Sequence, residues 1–279
     1  MRRLAILVHE HDAFESQPYF LRECVSLWRA QGTEVNVMHG PKPPNGADLG
    51  FLHVDLTVVP PPYLEACRAF PHVLNGRVAD ISKRVVSRNL VRRGDGYVGP
   101  VIIKTNLNHG GKMEALRAPE PDSARVAARG LRSLLPWNRI KRRGGLAYRI
   151  VDSVREVPDA VWDRRDLVVE RFLPERSGRY YIQRSWIFLG DRELVTVWYS
   201  KKPIVKARNI ARYEHADGVP DELRRVRCEM GFDFGKFDYV MIDGKPVLFD
   251  ANRTPILGLF TRPENAHCLR HLADGIRAF

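Results

Sequence analysis

The chain has 279 residues, 44% of them apolar, enough for one large or two to three small domains around a buried core. Its 45 Lys and Arg against 33 Asp and Glu give a net charge of +12, which attracts polyanions over a Debye length without naming one. No stretch reaches the roughly 18 apolar residues of a membrane-spanning helix, and Met1, Arg2 and Arg3 lead into only about five, so neither a spanning helix nor a signal peptide is expected. Cys24, Cys67, Cys228 and Cys268 lie far apart with no Cys-x-x-Cys pair, so reduced, buried thiols in a soluble cytoplasmic protein are expected in place of a zinc knuckle or disulfide framework.

Leu4 to Val8 is a continuous apolar run and reads as a strand. Phe20, Leu21, Cys24, Val25, Leu27 and Trp28 recur at helical spacing, Gly32 stops that helix, and Glu34 to Met38 alternate as a second strand. Leu49 to Val54 gives a third strand, Pro60, Pro61 and Pro62 open a short helix ending near Phe70, and His72 to Leu74 gives a fourth. Strands and helices in that rhythm predict a parallel sheet with helices on its faces, so residues 1–76 are expected to be a small doubly wound α/β domain. Ligands of open α/β sheets sit at the carboxyl edge of the strands. His53 and Asp55 after the third strand, and His9, Glu10 and His11 after the first, are therefore candidates for a second substrate.

From Ile81 to Val91 the pattern is helical, Arg92 to Gly96 is a turn, and Val101 to Lys104 is a strand. Tyr148 to Val151 and Leu167 to Phe172 are further strands around a short helix at 155–163. Tyr180 to Leu189 and Leu194 to Tyr199 flank Gly190 and Asp191 as in a hairpin, and Phe237 to Ile242 and Pro246 to Asp250 flank Asp243 and Gly244 in the same way. The second half is thus antiparallel and α+β, with no internal repeat. Boundaries are expected at 1–76, 77–173 and 174–279.

Two familiar patterns fail on context. Gly94-Asp95-Gly96-Tyr97-Val98-Gly99 matches a dinucleotide fingerprint, yet it precedes a strand where that motif should follow one. A kinase reading of the same loop, with Lys104 and Asp233-Phe234-Gly235, fails because the lysine is too close to the loop and too little chain follows Gly235.

Other features fit one another. Lys104 ends a strand and is followed by the loop Asn106-Leu107-Asn108-His109-Gly110-Gly111, whose backbone N–H groups suit a phosphate cradle. A lysine so placed is a charge partner for phosphate, so replacing it should spare the fold. Leu167-Val168-Val169-Glu170-Arg171-Phe172-Leu173-Pro174 runs from a strand into a linker able to meet an adenine edge. Asp250 and Asn252 are two apart on one strand, hence on one face, and a hairpin about Asp243-Gly244 brings Asp238 beside Asp250. Three hard oxygen ligands then converge, a set suited to Mg²⁺ shared with phosphates.

In this order of motifs the chain resembles the ATP-grasp superfamily of ligases, over its whole length. The resemblance implies an ATP-grasp fold with the α/β N-terminal domain, a lid subdomain and a C-terminal antiparallel-sheet subdomain. It implies ATP and Mg²⁺ as cofactors, with Lys83 and Lys104 on the phosphates beside Asn108, His109, Gly110 and Gly111. Glu170 and the backbone of Arg171, Phe172 and Leu173 would face adenine and ribose, and Asp238, Asp250 and Asn252 would hold the metal. Arg184 looks like the family's arginine for an acyl phosphate, and Lys236 takes a position often basic for the same purpose. Asp250 stands where glutamate is usual, and the 21 residues from Lys83 to Lys104 are fewer than is common.

The activity so implied is an ADP-forming carboxylate–amine ligase; alternatives are a phosphotransferase on the same fold and a nucleotide-gated RNA- or protein-binding module without turnover. Arg253 and Arg262, just after the metal hairpin, are candidates to grip a substrate carboxylate. From Ser123 to Val151 there is no acidic residue but eight Lys and Arg. By default that is a solvated basic face; on a lid it would suit an acidic peptide, a carrier protein or an aminoacyl-tRNA.

Overall fold

The computed structural model describes residues 3–43, 46–117 and 148–279. The chain forms two compact units, Met1–Asp80 together with Pro174–Phe279, and Ile81–Leu173. Of the basic run at 123–151, all but its last four residues lies outside the described residues.

In the first unit, β1 (Arg3–Val8), β2 (Glu34–His39), β3 (Leu49–Leu52) and β4 (Val73–Leu74) form a parallel sheet in the order β2-β1-β3-β4. The unbroken apolar run of β1 follows from its two covered faces. Leu4, Ile6 and Val8 pack with Phe20, Cys24 and Trp28 of the helix Phe20–Ala30. Ala5 and Leu7 pack with Tyr63 and Cys67 of the helix Pro61–Cys67 on the other side.

The second unit carries β5 (Val101–Thr105), β6 (Arg149–Val151) and β7 (Leu167–Arg171), an antiparallel sheet in the order β6-β5-β7. The helix expected over Ile81 to Val91 is only one turn, Lys83–Val86. Ser87 Oγ accepts the Asn89 amide, Asn89 Nδ2 donates to Arg171 O, and the Val91 amide donates to Val169 O. Local side-chain bonds thus compete with the helix, and an extended segment that pairs with β7 wins.

The remainder of the first unit is a large antiparallel sheet of β8 (Glu175–Ser177), β9 (Tyr180–Leu189), β10 (Arg192–Ser200), β11 (Ile210–Ala216), β12 (Phe234–Ile242) and β13 (Lys245–Asn252). Its order is β11-β10-β9-β12-β13, with β8 paired to β9. At the β12–β13 turn Asp243 and Gly244 both have positive φ, 50° and 76°, the left-handed pair that a two-residue hairpin requires. β11 escapes the sequence pattern because it is an edge strand with no buried residue. This sheet and the N-terminal one share a core in which Phe234 packs against Phe20 and Phe51. Buried Asn75 joins them with polar bonds, donating to Phe234 O and accepting from the Asp233 and Phe234 amides.

Cys24, Cys67 and Cys268 are buried free thiols as expected, whereas Cys228 is exposed, on the solvent side of the helix Asp221–Met230. Burial pushes the Cys67 thiol up to about 11 and raises Cys24 and Cys268 as well. Among the described residues, no helix is long and apolar enough to cross a membrane.

Candidate functional site

In the unit Ile81–Leu173, Lys104 and Glu170 come from adjacent strands, where Ile102 stands opposite Glu170 and Lys104 opposite Val168. The period of two puts both side chains on one face, and Lys104 Nζ lies 2.5 Å from Glu170 Oε2. Only 8% and 1% of these side chains are exposed, so this is a dry ion pair. Glu170 Oε1 is also buried and has no hydrogen-bond partner among the described residues. Such an acceptor carries an unmet desolvation cost until a donor arrives.

Beside this pair, the loop after β5 takes an unusual path. His109, Gly110 and Gly111 all have positive φ, at 45°, 68° and 73°. Two glycines accept this freely, but His109 is held there at a cost of about 1–3 kcal/mol, the kind of strain that functional loops retain. Buried Asn108 accepts the His109 amide through Oδ1. Lys83 is buried, its Nζ 3.4 Å from Leu107 O, so it stands at the base of the same loop. At the end of β7 the Arg171 amide donates to Asn89 O, and just beyond it the Phe172 amide donates to Pro100 O. Those two donors are committed inside the unit, and the main chain of Leu173 takes part in neither bond.

In the other unit, β12 and β13 set Asp238 directly opposite Asp250 and Lys236 opposite Asn252. The register shifts just beyond Asp238, where Tyr239 faces Leu248, leaving Phe249 as the extra residue of a bulge. Like charges placed opposite one another repel. Lys236 relieves this, with Nζ 2.9 Å from Asp238 Oδ2. Burial works against the Lys236 charge, but Asp238 and, more weakly, Asp250 outweigh it and hold its pKa above the ordinary lysine value. Asn252 Oδ1 accepts the Thr254 amide at 2.9 Å, and Thr254 Oγ1 donates to Asp55 Oδ1 at 2.7 Å. Among the described residues no three His, Cys, Asp or Glu side chains form a metal-holding group. Two carboxylates and an amide are nonetheless hard oxygen donors, a set that fits Mg²⁺ when phosphate oxygens and water complete its shell.

Several residues expected at the site fall elsewhere. Arg184 neighbours Ser185 on β9, and Ser185 hydrogen-bonds Asp238; alternation therefore sends Arg184 to the opposite face of the sheet from the carboxylates. There it pairs with Glu175, whose Oε2 also accepts the Met241 amide. Arg253 is fully buried, and its guanidinium donates to the carbonyls of Val54, Leu56 and Val78, which makes it a clamp on the chain after β3 and not a grip for substrate. His53 is fully buried, in edge contact with the rings of Phe14 and Tyr19. Asp55 accepts from Tyr19 Oη and Thr254 Oγ1. Arg262 stays exposed, 5.8 Å from the centre of the Tyr213 ring. Ser185 bonds Asp238, Thr254 bonds Asn252, and Trp198 stands behind Ser185; none carries a motif, and only the strand pairing reveals them.

A parallel N-terminal sheet, a small antiparallel central sheet and a large antiparallel C-terminal sheet together make the ATP-grasp fold. Solved structures match over the full length. The chain is similar to D-alanine–D-alanine ligase from Bacillus anthracis, at 10% identity over 100% of this chain and 96% of that one, with a TM-score of 0.51. It is also similar to macrocyclase MdnB from Microcystis aeruginosa, at 11% identity, 98% of each chain and a TM-score of 0.52. The ATP-grasp ligase PsnB, solved with a minimal precursor, matches at 13% identity over 99% and 100% of the two chains, with a TM-score of 0.53. At these identities the likeness shows the fold alone. No protein-family model and no curated protein matches the chain.

Proposed function

We propose that this protein is an ADP-forming ligase, which transfers the γ-phosphate of ATP to a substrate carboxylate so that an amine or other nucleophile can displace phosphate. The observation that carries the reading is the cross-strand pair Asp238 and Asp250 with Lys236 and Asn252 beside it. Lys236 already pairs with Asp238, and the two facing carboxylates with the Asn252 amide are hard oxygen donors suited to a divalent cation in place of its ammonium. In this reading Asp238, Asp250 and Asn252 hold Mg²⁺, which supplies charge neutralisation at the β- and γ-phosphates. Lys83, Lys104 and the Asn108–Gly111 loop hold phosphate oxygens. Glu170 Oε1 accepts the adenine amino group, which supplies the donor that this buried oxygen lacks among the described residues. Lys236 stabilises the negative charge that grows on the acyl oxygen. Positioning and electrostatics then lower the barrier without a protein nucleophile.

The test is product analysis with a panel of amino acids and acidic peptides. ADP and phosphate are expected, and hydroxylamine should trap the activated acid as a hydroxamate when the natural nucleophile is withheld. AMP with pyrophosphate would overturn the reading. ADP release with a stable phosphorylated product and no hydroxamate would make the protein a phosphotransferase, and nucleotide binding without turnover would make it a binding module.

A further inference from the structure

Asp238 is not left to find its own orientation. Trp198 Nε1 donates to Ser185 Oγ at 2.8 Å, and Ser185 Oγ hydrogen-bonds Asp238 Oδ1. The bonds run across β10, β9 and β12, since Ser185 stands opposite Thr196 on one side and opposite Asp238 on the other. An indole N–H donates and cannot accept, whereas a serine hydroxyl has one proton and two lone pairs. Trp198 therefore fills a lone pair of Ser185, and the single serine proton is directed to the other neighbour, the carboxylate. The polarity of this relay is fixed by chemistry alone.

The two oxygens of Asp238 are held differently. Oδ1 takes the hydroxyl of Ser185, which is buried, and Oδ2 takes the ammonium of Lys236, whose side chain is 32% exposed on a long flexible stem. A divalent cation arriving at Asp238 competes with the ammonium, a like charge with room to withdraw. It does not compete with the hydroxyl, which has no charge to repel and no space to leave.

We infer that Ser185 and Trp198 are positioning residues for the cation: Trp198 aims the Ser185 hydroxyl, and Ser185 locks the Asp238 carboxylate in the rotamer that ligates. This rests on the proposed metal role of Asp238 and Asp250. Groups that orient a metal ligand typically change metal affinity by about 10- to 100-fold when removed. Ser185→Ala is accordingly expected to weaken the cation about tenfold, Trp198→Phe to weaken it by a smaller factor while keeping the ring, and Ser185→Thr to retain affinity because it keeps the hydroxyl.

The experiment is a titration with Mn²⁺ in the presence of a non-hydrolysable ATP analogue, followed by the electron paramagnetic resonance signal of the free ion. Wild type, Asp250→Asn and the three variants are compared, each checked for folding by circular dichroism. Weakened binding in Ser185→Ala and Trp198→Phe, with Ser185→Thr close to wild type, is the expected result. Wild-type affinity in both Ser185→Ala and Trp198→Phe, when Asp250→Asn has lost the ion, would overturn the relay and leave the metal site standing. Loss in Ser185→Ala alone would remove Trp198 from it. Failure of the wild type to bind Mn²⁺, or binding indifferent to Asp250→Asn, would instead sink the metal reading, and the relay with it. Should Ser185→Ala not fold, Trp198→Phe alone decides.

Discussion

Each unit of the molecule sets a lysine against a buried carboxylate, and the two pairs differ in how far water reaches the lysine. Lys104 and Glu170 are 8% and 1% exposed, with no room for water to share their charge, while Lys236 and Asp238 are 32% and 11% exposed. A dry pair is weak evidence for net stability, yet breaking it leaves an uncompensated buried charge. A pair whose lysine is partly exposed keeps some contact with water and can yield its carboxylate to another cation. The first is part of how its unit holds together, and the second is a place-holder that a stronger cation can displace.

The sharpest way to break this contrast is Lys104→Ala. It is expected to lower unfolding free energy by on the order of 3–5 kcal/mol because Glu170 stays buried and charged. Lys104→Ala/Glu170→Gln should recover most of that loss, and both variants should lose nucleotide affinity; denaturant unfolding and nucleotide titration check the two halves. A single variant as stable as wild type would mean that Glu170 has another source of compensation. Next in size is Asp250→Asn, expected to cost about 10²-fold or more in turnover, the scale of one lost transition-state contact, with stability almost unchanged because it relieves repulsion with Asp238. Full activity in that variant would remove the carboxylate pair from the chemistry.

Smaller still is Lys236→Met. Removing the lysine leaves the buried Asp238 facing Asp250 without its ammonium, so the loss should exceed the roughly 1 kcal/mol of an exposed pair yet fall short of that of Lys104→Ala. A loss as large as that of Lys104→Ala would erase the contrast between the two pairs. The smallest effect is at Asp233, whose carboxyl is raised above its ordinary 3.8 by burial, against the Asn75 amide and the charges of Arg227 and Arg77. A raised pKa means that Asp233 favours the fold most below its unfolded value, and that this contribution is lost as pH rises through the folded value. Asp233→Asn does not titrate there, so it should gain on wild type as pH climbs from about 4 toward neutrality. A stability difference that stays flat over that range would show that the raised value is not felt in folding.

Much of the molecule was legible before any coordinate. The apolar run of β1, the helical spacing from Phe20 to Trp28 and the Asp243-Gly244 turn are local signals, but the turn register alone would set Asp238 against Phe249, and the bulge at Phe249, which no local pattern marks, is what brings Asp238 opposite Asp250. The helix expected after Ile81 failed because apolar spacing cannot see Ser87 and Asn89 draw the chain into extended pairing with β7. Arg253 was misread for a related reason. Its position beside the hairpin suits substrate binding, but which carbonyls its five N–H groups meet depends on the chain near residues 54–56 and 78, about 175 to 200 positions away.

The sequence by itself determined most of the strands, the tight turn and which residues of a single strand share a face, because these follow from period, φ preference and side-chain chemistry over a few residues. Tertiary structure alone decided which face Arg184 takes relative to Asp238, that Lys104 is sealed against Glu170, and that Trp198 and Ser185 stand behind Asp238. Those facts depend on how strands distant in sequence are paired and on how much water remains between them, and no local pattern encodes either.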